Sequence, residues 1–294
     1  MNYEGQICRS PMERSSFMLP TAVGCSYNRC RFCTLFKHLK YRELPMTQIE
    51  SELCRVKDLG GNPKTIFLGD GNAFGQGTDR LLRIIDRIHF YFPACTSINM
   101  DATITNIRQK SDSELHDLCI SGVRHLYLGI ESGLDDVLSF MEKDHSLDEA
   151  LAQIDRLHNA GLIYDAHIMT GIAGKGRGKE NALALAAFFN RTHPSRIINF
   201  SLFLHERAPL YQNIQDRSFT PADELENLKE ERALLEQLDC GPVSYDGFHD
   251  FVEYRVRGTL PKDREKMLSG LDHAIDEAEK DFHETGKPIF AFVK

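Results

Sequence analysis

The sequence predicts an α/β fold, a partial (β/α)6 TIM-like barrel with a C-terminal helical cap. Three observations carry that expectation. Strand-like and helical patterns alternate six times between residues 17 and 205, which requires parallel pairing with right-handed crossovers. A doubly wound sheet satisfies the same pattern. Helix starts are marked by capping-box residues and helix ends by glycine. The length of 294 residues suits one barrel and a cap, since such barrels run to about 250 residues.

Taken in order, Phe17 to Val23 is a short apolar strand. Thr47 with Glu50 reads as a capping box opening a helix with Ile49, Leu53 and Val56 on one face, ending at Gly60 and Gly61. Thr65 to Leu68 is the second strand, and Leu81, Ile84, Ile85 and Ile88 mark the next helix. Ser97 to Ala102 is the third strand, followed by a helix from the Ser111 and Glu114 box to Gly122. His125 to Ile130 is the fourth strand, and the Ser146 and Glu149 box opens a helix that stops at Gly161. Tyr164 to Ile172 is the fifth strand, Asn181 to Asn190 a helix and Arg196 to Leu204 the sixth strand. The expected division is an N-terminal extension (1–16), a core (17–205) and a helical cap (206–294). In the cap a helix starts at Thr220-Pro221, and the last helix carries Met267, Leu268, Leu271, Ile275 and Ala278.

Composition narrows the classes. The chain is 41% hydrophobic and 27% charged, and it lacks low-complexity tracts, so disordered, collagenous and coiled-coil classes are excluded. Its net charge of −8 argues against a broad nucleic-acid surface. No segment has the roughly 18 uninterrupted apolar residues of a membrane span, and no signal-peptide core opens the chain. The expected location is the cytoplasm.

Several strands alternate, although parallel strands covered on both faces should be almost continuously apolar. Asn99 and Asp101 oppose Ile98, Met100 and Ala102; His125 and Tyr127 oppose Leu126, Leu128 and Ile130. Asp165 and His167 oppose Ala166 and Ile168, while Asn199, Ser201 and His205 oppose Ile198, Phe200 and Leu202. Helices must cover the apolar sets, so the polar sets are expected to line a wet lumen.

Of the eight cysteines, five are scattered and three cluster as Cys25, Cys30 and Cys33 in GCSYNRCRFC, a C-x4-C-x2-C arrangement after the first strand. Soft thiolates favour zinc or iron–sulfur clusters. His38 could complete a structural zinc site. Three cysteines on a cubane would instead leave one iron open, and a strand's carboxyl end is where barrels place active sites.

This loop resembles the cluster loop of the radical S-adenosylmethionine (radical SAM) superfamily, with Phe32 in the aromatic place and four residues instead of three in the first spacer. Gly69-Asp70-Gly71-Asn72 is similar to the family's Gly-Gly-Glu position, which binds the amino group of SAM, without its glutamate. Gly129-Ile130-Glu131-Ser132-Gly133 resembles the segment that touches the SAM ribose and carboxylate, and Thr170-Gly171-Ile172-Ala173-Gly174 the one beside the adenine.

The resemblance implies that Cys25, Cys30 and Cys33 hold a [4Fe-4S] cluster whose fourth iron binds SAM. Reductive cleavage of SAM would then yield a 5′-deoxyadenosyl radical that abstracts hydrogen from a substrate. Phe32, Gly69, Asp70, Gly71, Asn72, Glu131, Ser132, Gly171 and Ile172 are the expected SAM contacts. The polar lumen suggests a small polar substrate, with Asp101, Tyr127, His167 and His205 as catalytic candidates and Cys95 as a further hydrogen-atom source. Arg29, Arg31, Lys37, Lys40 and Arg42 form a basic group expected to dock a flavodoxin or ferredoxin donor. No auxiliary cluster and no cobalamin module are expected. Two readings from other classes stand beside this one: a zinc-stabilised nucleic-acid-binding module, using Tyr27, Phe32 and Phe36, and a non-catalytic iron–sulfur electron carrier.

Overall fold

The computed structural model describes Glu4, residues 8–290 and the strand Phe292–Val293. Residues 1–3 and 5–7 of the expected extension, and residues 291 and 294 of the expected cap, lie outside the described residues. Eight strands are ordered in one sheet as they occur in the chain. They are β1 (Phe17–Pro20), β2 (Thr65–Gly69), β3 (Ser97–Ala102), β4 (Val123–Glu131), β5 (Ile163–Thr170), β6 (Arg196–Ser201), β7 (Val243–His249) and β8 (Tyr254–Leu260). The first six overlap the six expected strands, with the first, fifth and sixth ending at Pro20, Thr170 and Ser201 rather than at Val23, Ile172 and Leu204. The chain divides into two compact units: Met1–Arg29, Leu35–Leu128 and Ala152–Tyr164 in the first, and Cys30–Thr34, Gly129–Leu151 and Asp165–Lys294 in the second. No helix among the described residues is long and apolar enough to cross a membrane.

In the first unit β1, β2, β3 and β4 pair in parallel. Helices α1 (Met46–Asp58) and α2 (Thr78–Tyr91) are the crossovers around β2. Leu81, Ile84, Ile85 and Ile88 of α2 are all buried, as their helical spacing requires. Next come α3 (Ile104–Arg108) and α4 (Asp112–Ile120). The α4 capping box is formed by Ser111 and Glu114. At α1 the expectation fails. Pro45 is the N-cap and Thr47 lies inside the helix, because proline's fixed φ suits a helix start and the Glu50 N–H that Thr47 would cap already lies a full turn inside the helix, with an intrahelical acceptor. The short helix α3 had no expectation, since five residues cannot display a helical period.

The second unit contains α5 (Asp135–Phe140), most of β5, and β6 and β7 in parallel, with β8 returning antiparallel to β7. Helix α6 (Leu147–Asn159) passes from this unit into the first, and Ser146 and Glu149 cap its start reciprocally. Helices α7 (Gly178–Thr192), α8 (Leu210–Gln215), α9 (Glu224–Gln237) and α10 (Arg264–Thr285) follow. The carboxyl-terminal segment is therefore not wholly helical, because β7 and β8 belong to the sheet. Helix α9 starts at an Asp223 cap, whose carboxylate accepts the Glu226 N–H at 2.9 Å, rather than at Thr220-Pro221.

Register shows which side chains share a face. Asp101 stands opposite Tyr127 on β4, and Asn99 opposite Phe67 on β2, which places Asn99, Asp101 and Tyr127 together as expected. On β6 the expectation is overturned. His167 stands opposite Ile198 and Met169 opposite Phe200, so Ile198 and Phe200 share the His167 face. Asn199 and Ser201 lie on the other face with Ala166 and Ile168, under α9. The physical reason is the helix itself: α9 buries Glu224, Glu230 and Glu231, and buried carboxylates need donors opposite them. A polar strand face can therefore be the helix-covered one.

Candidate active site

In the first unit the chain leaves β1, turns at Gly24 and reaches Cys25. The turn after β2 lies directly against this approach. Gly71 has φ +69°, and a Cβ there would overlap the Gly24 carbonyl oxygen and lie 3.3 Å from the Cys25 nitrogen, so only glycine fits. The Asp70 N–H donates to the Ala22 carbonyl at 3.3 Å, and the Asn72 amide donates to the Ser26 hydroxyl at 3.1 Å. Thr21 and Gly69 are joined by the Thr21 hydroxyl at 3.1 Å. Asp70 and Asn72 are buried, and each keeps one Oδ1 without a hydrogen-bond partner. Burial lifts the Asp70 carboxyl to about 6, against N–H donation from Cys8 and Gly71.

Asp101 and Tyr127 meet an acid that the sequence reading did not single out. Glu13, on a 3-10 turn at Pro11–Glu13, is 2% exposed. Its Oε1 accepts from the Tyr127 hydroxyl at 2.6 Å and from the Asn99 amide at 2.9 Å, and Ser16 donates to its other oxygen. No local signal marks it, because a glutamate in a short irregular segment looks like a solvated charge. Burial, then the charges of Glu13 and Asp70, push Asp101 up to about 8. Cys95 sits before the amino end of β3, at the opposite end from Asp101, with its thiol directed to the Ser97 carbonyl at 3.7 Å. That placement separates it from the catalytic candidates.

In the second unit Cys30 and Cys33 form a turn, with the Cys33 N–H donating to the Cys30 carbonyl at 3.3 Å. Arg31 between them is fixed on both sides: its N–H donates to Met141 and its carbonyl accepts from Leu210, each at 2.9 Å. Phe32 packs on an apolar cluster that includes Ile172, Met141 and Leu210, which joins the cysteine turn to the end of β5. Glu131 closes β4 with φ +64°, a region a non-glycine residue occupies only under constraint. Its carboxylate pairs with Lys143 at 3.2 Å, both side chains almost wholly buried. Lys143 is a second residue that sequence reading missed. Burial opposes its charge, but Cys30, Glu131 and Asp144 outweigh that and hold its pKa above the ordinary lysine value.

Ser132 and Gly133 are held by Asn181, and Gly171 by Glu230. His167 packs edge-on against Phe200, ring centroids 6.0 Å apart. Burial and then the Lys143 charge lower its pKa to about 4, so the imidazole is neutral at pH 7. His205 lies beyond β6 in the two-residue strand Leu204–His205, and its Nδ1 accepts from the Arg207 N–H at 3.1 Å. Asp165 pairs with Arg196 at 3.7 Å near the amino ends of β5 and β6, away from the strand mouths.

The residues fit an iron–sulfur cluster and SAM by their donor chemistry. None of the eight cysteines is in a disulfide, and Cys25, Cys30 and Cys33 are each partly exposed. Three soft thiols therefore lie on one loop, residues 25–33, and beside Cys25 the oxygens of Asp70 and Asn72 can accept from an ammonium group. Cys25 belongs to the first unit and Cys30 and Cys33 to the second. Among the described residues no three His, Cys, Asp or Glu side chains stand grouped as a metal site. His38, the candidate zinc ligand, is exposed. Of the basic group, Arg31 pairs with Glu142 at 2.9 Å and Arg42 with Glu4, while Lys37 donates to the Asn28 carbonyl at 2.7 Å.

The chain is similar to tRNA-2-methylthio-N(6)-dimethylallyladenosine synthase of Anaeromyxobacter dehalogenans (strain 2CP-C), 28% identical over 174 residues, which are 55% of this chain and 35% of that protein. It is also similar to the heme chaperone HemW of Bacillus subtilis (strain 168), 23% identical over 76% of this chain and 58% of that protein. The chain thus spans less than two thirds of either relative. Its fold is like that of the Escherichia coli coproporphyrinogen III oxidase HemN, a radical SAM enzyme, with a TM-score of 0.59 at 17% identity over 77% of this chain and 53% of that one. The family model of the Radical SAM superfamily matches residues 19–187. Members of that family are enzymes that use a [4Fe-4S] cluster and SAM, and over that match, more than half its length, this chain belongs to the radical SAM superfamily.

Proposed function

We propose that the chain is a radical SAM catalyst acting on a small polar substrate. Cys25, Cys30 and Cys33 hold three irons of the cluster and leave the fourth to SAM. The observation that carries this reading is the turn after β2. Gly71 packs on the Gly24 carbonyl beside Cys25, with buried, unpartnered oxygens on Asp70 and Asn72, so a group bearing an ammonium finds acceptors next to the loop. A bound cluster, reduced by an external donor protein, would supply one-electron reductive cleavage of SAM and, through the radical fragment released, hydrogen-atom abstraction from the substrate.

The chain's own residues bind and orient. Gly69 to Asn72 receive the methionine end, Glu131 and Ser132 the ribose, and Phe32, Gly171 and Ile172 the adenine. Apolar packing of Phe32 and Ile172 excludes water there. Asp101, protonated near neutral pH, can donate a hydrogen bond from its carboxyl to a polar substrate, and neutral His167 can accept one. His205 is a third substrate contact. Tyr127 orients Glu13, which sets the charge beside Asp101. The acidic balance of the chain supports a small molecule over nucleic acid. Arg29, Lys37 and Lys40 are proposed to receive a flavodoxin or ferredoxin donor. Cysteines without disulfides support a cytoplasmic setting.

Anaerobic reconstitution tests the proposal. A brown protein with iron and sulfide in cubane proportion, releasing 5′-deoxyadenosine from SAM under reduction, is expected. Cys25→Ala, Cys30→Ala and Cys33→Ala should each abolish that release. A colourless zinc-loaded protein, or a brown one inert toward SAM, overturns it.

A further inference from the structure

We propose that Asn181 and Glu230 form a positioning relay that sets the mouths of β4 and β5 as one unit. The inference rests on the reading of those mouths as SAM contacts. Asn181, on α7, accepts at Oδ1 from the Ser132 hydroxyl at 2.7 Å and from the Gly133 N–H at 2.9 Å. Its Nδ2 donates to Glu230 Oε1 at 2.7 Å. Glu230 Oε2, on α9, then accepts the Gly171 N–H at 2.8 Å. One continuous chain of hydrogen bonds therefore runs from the end of β4, through two helices, to the end of β5. Ser132, Asn181 and Glu230 are all buried, so water cannot substitute for a lost partner.

Neither mouth has slack. Gly171 has φ +82°, and a Cβ there would lie 2.5 Å from Asn227 Oδ1. A Cβ at Gly133 would overlap the backbone of Ala184 and Leu185 in α7. The two backbones lie flush on the helices that carry the relay, and a change in the relay is passed to both.

The polarity of the relay is fixed by Glu230. Burial lifts the Glu230 carboxyl to about 7, against donation from Gly171 and Asn181; above that pH the ionised carboxylate only accepts, which obliges Asn181 to turn Nδ2 toward it and Oδ1 toward Ser132 and Gly133. In Glu230→Gln the new amide keeps its oxygen on the buried Gly171 N–H and presents NH2 to the Asn181 NH2. Asn181 then flips and loses the Gly133 N–H. In Asn181→Asp two carboxylates face each other. The double variant restores a complete set: Asp at 181 accepts from Ser132, Gly133 and the Gln amide, and the Gln oxygen accepts from Gly171.

The test is hydrogen–deuterium exchange on the metal-free chain above pH 7, where Glu230 is ionised, followed by SAM affinity from equilibrium dialysis of the reconstituted protein at the same pH. Glu230→Gln should speed exchange at Gly133, a residue Glu230 does not touch, and weaken SAM binding about tenfold, the equivalent of one buried hydrogen bond. The double variant should recover both. Thermal melts followed by circular dichroism show that each variant is folded. Unchanged Gly133 exchange in Glu230→Gln, or a double variant no better than the worse single one, overturns the relay. A wild-type chain that fails to bind SAM overturns the reading of the site, whereas wild type and Glu230→Gln binding SAM equally overturn the relay alone.

Discussion

In the first unit the polar side of β3 meets one acid from the amino end of the chain; in the second the polar side of β6 meets two acids from helix α9, Glu224 and Glu231. Glu13 is reached by Asn99, Tyr127 and Ser16, and burial, then the Glu13 charge, leaves Asp101 reluctant to ionise. Under α9 the arrangement is self-compensating. His249 stands between Glu224 and Glu231, with Nδ1 at 3.2 Å from Glu224 and Nε2 at 2.7 Å from Glu231. Asn199 and Tyr245 also donate to Glu231, at 2.9 and 2.7 Å. The difference is one of purpose. A polar face whose raised carboxyl is partly accessible can meet a ligand, while one whose acids and donors satisfy each other is a core made of polar atoms.

Breaking the second region should cost most. His249→Leu leaves Glu224 and Glu231 buried without their cation, and unfolding free energy in urea should fall by about 3–5 kcal/mol. Burial alone would lower the His249 pKa, but Glu231 and then Glu224 outweigh it and raise it to about 9. Its stabilising effect is therefore complete below the ordinary imidazole pKa and is lost as pH rises through 9. A wild-type urea midpoint flat between pH 6.5 and 9 would refute the compensated core.

Glu13→Met should follow in size. Asn99 and Tyr127 lose a buried acceptor, and about 1–3 kcal/mol of stability should go with it. A smaller change would mean that water reaches these groups.

Asp101→Asn should have the smallest effect on stability, within roughly 1 kcal/mol, and in the favourable direction at high pH. A carboxyl whose folded pKa is raised loses stability as pH climbs from its ordinary value through about 8, so the variant should lack that slope. Turnover should nevertheless fall, because the carboxyl is proposed to meet substrate. Unchanged turnover would reduce Asp101 to framework and erase the contrast between the two regions.

Most of the fold was legible because its signals are local. The β3 range matched the expectation residue for residue, since strict alternation ends at a helix cap, Thr103. The boxes at Ser111 and Ser146 were readable because both partners lie within one helical turn. The inverted face of β6 was not readable. Alternation separates two faces and is silent on which one a helix covers, and the acids that decide it lie 23 and 32 residues further along. Glu13, Lys143, Asn181 and Glu230 were invisible for the same reason: each acts on a residue brought to it by folding.

The chain's own text determined the strand and helix periods, the cysteine spacing and the glycine turns after β2, β4 and β5, all properties of residues a few positions apart. Tertiary structure alone decided which polar face is core and which is open. It also decided that Asn181 and Glu230 join two strand mouths, because those outcomes depend on hydrogen bonds across 48 to 59 residues of chain, where burial and not sequence distance selects the partners.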